Sequence, residues 1–265
     1  MSQRADRWAD LRVRVASGLV MITVGAVATF EGGYFFRAAV LVVFAVMIWE
    51  LAGMTAKPAA PVRLGLAGLA ALCLLANMTA LSPFWGLVVL VLPPLGLVLT
   101  PRGDRWLIAG YALLILLSAI GFLALRHQGA LVFLWIILVV VVSDTLGYFA
   151  GRLLGGPKFW PQVSPKKTWA GTVAGWVGAT AVGLAFVVAG AAGWGILIFS
   201  PLVALAGQMG DILESWIKRR AGVKDASGLI PGHGGMLDRF DALIGAVLAV
   251  IVIAQVIPLP FGVAG

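Results

Sequence analysis

The sequence has few of the charged residues that a water-soluble surface needs. Only 11% of its 265 residues are charged, whereas a soluble globular domain carries about 25%. There is one cysteine, Cys73, so an internal disulfide is excluded. Two histidines and a single cysteine also argue against a zinc site. What the chain has instead is apolar residues, 61% of the total, and 34 glycines. This composition predicts a polytopic membrane protein.

The apolar runs predict about nine transmembrane helices, because roughly 20 apolar residues in helix cross a bilayer. The first run follows a basic N-terminus and is interpreted as a retained helix rather than a cleaved signal, since further spans follow it. The predicted fold class is therefore all-α, a polytopic transmembrane helical bundle. The predicted spans are 15–30, 36–54, 64–81, 83–99, 106–125, 130–150, 171–190, 194–210 and 240–258.

The basic residues fall almost entirely on one side of this topology. With nine spans, only Arg37 and Arg126 of the 19 Lys and Arg lie on the side opposite the N-terminus. The positive-inside rule then predicts a cytoplasmic N-terminus and a C-terminus on the other side. Topology alone accounts for much of the net charge of +8, so no nucleic-acid partner is expected.

Two predicted cytoplasmic loops, 151–170 and 211–239, are long and rich in Gly, Pro, Lys and Arg. The earlier half of the chain has minimal loops. We therefore predict N-terminal scaffold helices over 1–130 and a catalytic region over 131–265.

Carboxylates concentrate in this second region. Asp144 lies inside an apolar run, where ionisable groups are costly and usually functional, although snorkelling or pairing with a lysine is the simpler alternative. Asp211 and Glu214 are three residues apart, as are Asp238 and Asp241, so each pair shares a helix face if the helix continues. Ordinary helix-end charge would explain either pair. Together they favour a hard cation such as Mg²⁺.

Cations accompany these carboxylates. They can neutralise the acids or bind lipid headgroups, or they can form a clamp for a polyphosphate. Gly234 and Gly235 allow backbone N–H groups to approach an anion, and His233 either donates to a phosphate or caps the turn. The cations and hydroxyls concerned are Ser164, Lys166, Lys167, Lys218, Arg219, Arg220 and Lys224.

The run from 215 to 241, SWIKRRAGVKDASGLIPGHGGMLDRFD, resembles the signature of the phosphatidate cytidylyltransferases, the CDP-diacylglycerol synthases. Ser143-Asp144 and the Ser-Pro-Lys-Lys-Thr segment 164–168 also look like the family. Arg14 with Ser17-Gly18, and Trp49-Glu50, fit more weakly. One departure is Ala170, where the family often has an acidic residue.

The resemblance implies a Mg²⁺-dependent reaction of CTP with phosphatidic acid, with room for a second, monovalent cation. It also implies a multi-pass protein of the bacterial inner membrane, with its site at the cytoplasmic face and acyl chains entering from the bilayer. The implied catalytic residues are Asp211, Asp238, Lys218, Arg219 and His233. The implied substrate-binding residues are Lys166, Lys167, Ser164, Lys224, Gly234, Gly235 and Arg239. The implied metal ligands are Asp211, Asp238, Asp241 and Asp144. Asp225 either binds metal or orders Lys224.

Other functions remain open from the sequence. An intramembrane Asp in a Gly-rich bundle also suits a secondary transporter, but transporters usually show paired halves with polar groups at the midplane. A CTP-dependent lipid or polyprenol kinase would release CDP instead of pyrophosphate. A CDP-alcohol phosphotransferase is disfavoured because its Asp-rich spacing is absent, and a non-catalytic lipid-binding scaffold is a further alternative. Packing by small residues is compatible with a homodimer.

Overall fold

A computed structural model describes the backbone of residues 2–56, 59–79 and 81–261, and the side chains of these residues apart from 2–11 and Pro165. Lys57, one of the cations used for the topology, lies outside the described residues. The described part of the chain is mainly helical, and its two strands form one short antiparallel hairpin. Its elements are α1 (Ser2–Glu31), α2 (Gly33–Ala56), α3 (Ala60–Thr79), α4 (Pro83–Val89), α5 (Leu92–Leu99), α6 (Arg105–Gln128), α7 (Ala130–Leu153), β1 (Lys158–Trp160), β2 (Ser164–Thr168), α8 (Trp169–Val188), α9 (Ile196–Arg220) and α10 (Leu237–Ala254).

Each predicted span overlaps a helix, although several predicted ends differ from the observed ones, and the all-α fold class is confirmed. Among the described residues, seven helices are long and apolar enough to cross a membrane: α1, which qualifies from Arg12 onward, α2, α3, α6, α7, α8 and α9. The helix of the ninth predicted span, α10, is not among them. The predicted span 83–99 is two short helices, α4 and α5. Pro93 and Pro94 lie in the first turn of α5 and lack the N–H groups that would continue α4.

The two polar loops are shorter than predicted, and one contains strands. In the first, β1 pairs with β2 between α7 and α8, with Lys158 opposite Thr168. In the second, α9 continues to Arg220 and α10 begins at Leu237. The continuation of α9 is stabilised by apolar side chains, since Ile212 and Ile217 are both buried. The irregular segment is therefore 221–236.

The chain divides into two compact units. Unit 1 comprises residues 1–123 and 220–240, and unit 2 comprises 124–219 and 241–265.

In unit 1, α2 packs on α1 and α3, and α3 also packs on α4 and α5. Three aromatic rings form part of its core: Phe44 lies 5.3 Å from Phe122 and 6.5 Å from Phe240 between ring centroids. The guanidinium of Arg220 donates two hydrogen bonds to Asp104, at 2.6 and 2.7 Å. The C-terminal part of this unit is thus held to its N-terminal helices.

In unit 2, glycines let helix backbones approach closely, as is common in membrane helix packing. A Cβ added to Gly171 of α8 would lie 2.5 Å from the carbonyl oxygen of Gly147 on α7. One added to Gly210 of α9 would lie 2.4 Å from the carbonyl oxygen of Asp241 on α10. One added to Gly245 would similarly meet the Ala206 carbonyl, at 2.3 Å. These contacts bring the polar residues of α7, α8, α9 and α10 together.

Candidate active site

The irregular segment 221–236 of unit 1, hereafter the signature loop, is folded tightly around its own backbone. Ile230 and Gly234 form an isolated antiparallel bridge, and the His233 N–H donates to the Ile230 carbonyl. Gly232 and Gly234 have φ values of 76° and 83°, a conformation that glycine adopts without strain. The loop predicted to approach an anion therefore does contain a glycine-dependent turn.

Asp238 lies in the first turn of α10 and organises this loop. Its Oδ2 accepts hydrogen bonds from the backbone N–H groups of Ala226, at 2.9 Å, and Gly235, at 2.8 Å. A carboxylate at a helix N-terminus is also favoured by the helix dipole. The role of Asp238 as a metal ligand remains a prediction.

Glu50 of α2 is a second organising carboxylate, and it was missed as a site residue from the sequence. It is fully buried. Its Oε1 accepts hydrogen bonds from the Ser227 hydroxyl and the Met236 N–H, and its Oε2 accepts one from the Leu237 N–H. Glu50 thus acts as an N-cap for α10 from another helix. An acidic residue within a 24-residue apolar helix was the signal available in the sequence.

His233 is held from α1. The Ser17 Oγ lies 2.9 Å from His233 Nδ1 and 2.9 Å from the carbonyl oxygen of Pro231. A hydroxyl has one proton, so when Ser17 donates to a carbonyl, His233 Nδ1 has to donate to Ser17. The Ser17-Gly18 pair is explained by this contact, because Gly18 lies beneath the imidazole ring.

Unit 2 contains a polar cavity of about 470 Å³ between apolar helices, hereafter the α7–α8 cavity. It brings together Asp144, Lys166, Lys167 and Asp211 from the predicted set. Further residues lining it are Ser143, Gly147, Tyr148, Gly151, Arg152, Thr168, Gly171, Thr172 and Gln208. Asp144 lies within α7, as its position in an apolar run predicted. Its side chain is exposed.

Lys167 of β2 contacts α9 at the wall of this cavity. Its Nζ pairs with Asp211 Oδ2 at 2.5 Å and donates to the Gln208 carbonyl at 3.2 Å. The Gln208 side chain accepts from Trp176 Nε1 and donates to Ser143 Oγ. Gln208 is buried and was not identified from the sequence, because a lone amide gives no motif.

Three carboxylates meet where α9 packs on α10. Ligand oxygens of Asp211, Glu214 and Asp241 all lie within 4.8 Å of one another. Ser215 Oγ donates to Asp211, and Lys218 Nζ pairs with Glu214 Oε2 at 2.5 Å. The predicted spacing of Asp211 and Glu214 on one helix face is confirmed by the helix.

The remaining predicted residues belong neither to the lining of the α7–α8 cavity nor to the carboxylate cluster. Ser164 lies in β2 and is half-buried. Ala170, the departure from the family pattern, is the second residue of α8 and is also half-buried. The exposed residues are Arg219, Lys224, Asp225 and Arg239.

The chain is similar to known proteins over most of its length. A sequence model of the "Cytidylyltransferase family" matches residues 12–257. A phosphatidate cytidylyltransferase of Brucella abortus biovar 1 is 32% identical over 264 residues, covering 89% of this chain and 90% of the relative. Proteins of that name from Staphylococcus saprophyticus and Helicobacter pylori are 44% and 42% identical over 129 and 136 residues. These matches cover 46% and 49% of this chain, and half of each relative. The chain therefore belongs to the cytidylyltransferase family.

Proposed function

We propose that this protein is an integral-membrane enzyme that converts CTP and phosphatidic acid to CDP-diacylglycerol and pyrophosphate in phospholipid biosynthesis. The observation that carries the proposal is the α7–α8 cavity, where two lysines and two carboxylates line one polar space between apolar helices. A nucleotide needs the polar groups, and a lipid needs the apolar surroundings. The relatives with this name support the same reaction.

The chemistry joins two anions. An oxygen of the phosphatidate phosphate attacks the α-phosphorus of CTP, an O–P bond forms, and the bond between the α-phosphorus and the bridging oxygen of the β-phosphate breaks. Pyrophosphate leaves with the electron pair. The nucleophile is already ionised, so no general base is required, and the protein has to offset the repulsion between the reactants and align them.

Cationic side chains around the cavity can provide that compensation. Lys167 is held by Asp211 and the Gln208 carbonyl, so its ammonium group is fixed before substrate binds. Arg152 donates one N–H to the Tyr148 hydroxyl at 2.9 Å, and a guanidinium has five N–H donors. We propose that Lys166, Lys167 and Arg152 bind phosphates of CTP or of the lipid.

The carboxylate cluster fits Mg²⁺. Asp211, Glu214 and Asp241 supply only oxygen donors, which are the ligands that Mg²⁺ prefers. A bound Mg²⁺ would neutralise charge on the triphosphate. We propose that Asp211 and Asp241 hold it together with Glu214, and that Asp144 and Asp238 remain further candidates. The second, monovalent cation stays part of the proposal, as do the substrate-binding roles of Lys218, Arg219, Lys224 and Arg239.

The lipid substrate is proposed to enter laterally. The helices that line the cavity carry exposed apolar side chains, including Leu146, Phe149 and Val173. Acyl chains can lie against such a surface while the phosphate reaches the polar space. The distribution of Lys and Arg supports an active site at the cytoplasmic face. The bacterial relatives support a location in a bacterial inner membrane. A homodimer, which packing by small residues would allow, stays a prediction.

The test uses the full-length protein purified in detergent, with phosphatidic acid, CTP and Mg²⁺. Pyrophosphate and CDP-lipid are measured together, in the wild type, in Asp211→Asn and in Asp104→Asn as a carboxylate outside the cavity. We expect equal, Mg²⁺-dependent amounts of both products, lost in Asp211→Asn and retained in Asp104→Asn. Release of CDP with a newly phosphorylated lipid would replace the proposal with a kinase, and no turnover by folded protein would reopen the transporter and scaffold alternatives.

A further inference from the structure

The N-terminal helices contain a buried carboxylate that accepts hydrogen bonds from the signature loop and the start of α10. Glu50 is on α2, 177 residues before Ser227, yet it accepts a 2.6 Å hydrogen bond from the Ser227 hydroxyl. The other hydrogen bonds to Glu50 come from the N–H groups of Met236, at 2.9 Å, and Leu237, at 2.7 Å.

We propose that Glu50 is a positioning residue for the cytidylyltransfer reaction, and that it acts by fixing where α10 begins and how the signature loop enters it. The proposal rests on the proposed function for its kinetic consequence. It assigns a role in the active site to a helix that the sequence pattern indicates only as scaffold.

The burial of Glu50 gives the first argument. A fully buried carboxylate is strongly unfavourable unless hydrogen-bond donors compensate it, so the groups that face Glu50 have to stay in place. Here those groups are two backbone N–H groups at the N-terminus of a helix and one hydroxyl. The first N–H groups of a helix have no intrahelical partner, so Glu50 and α10 satisfy each other.

Steric fit gives the second argument. A Cβ added to Gly235 would lie 2.6 Å from Glu50 Oε1 and 3.0 Å from Oε2, so any side chain there would displace the carboxylate. Gly235 is also bound through its N–H to Asp238. The backbone of Gly235 is therefore held between Glu50 on one side and Asp238 on the other.

Loss of the Glu50 contacts is expected to affect the residues at the start of α10. Asp238 directly follows Leu237, whose N–H is bound to Glu50, and His233 and Gly234 precede Met236. A shift of the helix start moves all of them together. Since a displacement of about 1 Å can reduce turnover about 100-fold, loss of the Glu50 contact is expected to act on kcat.

Glu50→Gln is the informative variant. The amide keeps the size of the carboxylate but has only one acceptor oxygen. In either orientation its NH₂ group faces a backbone N–H, of Leu237 or of Met236, so at least one hydrogen bond is lost. Ser118→Ala is the matched control, because Ser118 is a buried polar residue of the same unit that donates only within its own helix, to Ile115.

Two readouts are needed. Hydrogen exchange is measured on the amides of 226–237, and kcat and KM are measured per folded molecule. For Glu50→Gln we expect faster exchange in this segment, a kcat at least 10-fold lower and a KM for phosphatidic acid within twofold of wild type. Ser118→Ala should change neither. Unchanged kcat in Glu50→Gln, or an equal loss in Ser118→Ala, would overturn the proposal.

A second variant covers failure of Glu50→Gln to fold. Ser227→Ala removes one of the three donors to Glu50 and leaves both N–H contacts. We expect a smaller fall in kcat, about threefold, with faster exchange confined to the same segment, and normal kcat and exchange would overturn the proposal. If the wild type forms no CDP-lipid, the proposed function fails, whereas the exchange data still decide whether Glu50 orders the loop.

Discussion

Replacing Gly210 by alanine should inactivate the protein by separating α9 from α10. The added Cβ would lie 2.4 Å from the carbonyl oxygen of Asp241, whereas ordinary van der Waals contact begins at 3.4 Å. Gly245 backbone atoms at 3.1 and 3.2 Å close the other side, so α10 has to move by about 1 Å. The carboxylate of Asp241 then moves away from that of Asp211.

Gly210→Ala is expected to reduce both the stability of the protein and its turnover. Overpacking costs about 1–3 kcal/mol of stability, and the better helix propensity of alanine returns about 1 kcal/mol. The net destabilisation of about 0–2 kcal/mol should lower the unfolding temperature by a few degrees only. Turnover is expected to fall about 100-fold, because an error of about 1 Å in the position of a catalytic group can have that effect.

Two control variants distinguish a local effect on the carboxylates from a general loss of stability. Gly183→Ala introduces a comparable clash in unit 2, with Ser200 Oγ at 2.6 Å and the Ile196 carbonyl at 3.2 Å, away from the carboxylates. Gly110→Ala meets no atom within 4 Å and should fold and turn over normally. The assays are pyrophosphate release with CDP-lipid formation, and thermal unfolding in the same detergent. Gly210→Ala with turnover within threefold of wild type, or Gly183→Ala with an equal loss, would refute the reasoning.

Three further outcomes are expected. Lys167→Met removes a fixed ammonium group from the α7–α8 cavity and should reduce kcat/KM for CTP about 100-fold, with a smaller effect on unfolding temperature; equal turnover would contradict its role. The Arg220 guanidinium holds the pKa of Asp104 below its ordinary 3.8, so the stability from this pair is present above that pH and is lost as the pH falls below it. The unfolding temperatures of wild type and Asp104→Asn should therefore converge in acid and in high salt. Trp135→Phe loses the 2.9 Å hydrogen bond to Ser200, which still bonds its own helix, so about 1 kcal/mol of stability should be lost with normal turnover.

Much of the fold could be predicted from periodicity and length alone. All nine predicted spans overlap helix, because runs of apolar residues long enough to cross a bilayer have few other structures available. The ends of the helices were less predictable. The continuation of α9 beyond residue 210 depends on the burial of Ile212 and Ile217. The hairpin of β1 and β2 depends on strand pairing that no local sequence pattern indicates.

Part of the site could be predicted as well. The spacing of Asp211 and Glu214 indicated a shared helix face, and the helix confirms it. Asp144 was predicted within a span because a carboxylate in an apolar run is costly, and it lies in α7. The grouping of Asp144, Lys166 and Lys167 in one cavity with Asp211 agrees with the chemistry that those residue types suggest.

The sequence by itself determined that the chain is a helical membrane protein whose polar chemistry lies in its second half, because composition and hydrophobic length decide that without reference to packing. Its signature also indicated the family. Tertiary structure alone decided which side chains meet: Asp241 joins Asp211 and Glu214 because glycines let α9 and α10 touch. It also brought Glu50 and Ser17 to a loop about two hundred residues later in the chain. Such contacts depend on the three-dimensional path of the backbone, which one-dimensional spacing does not contain.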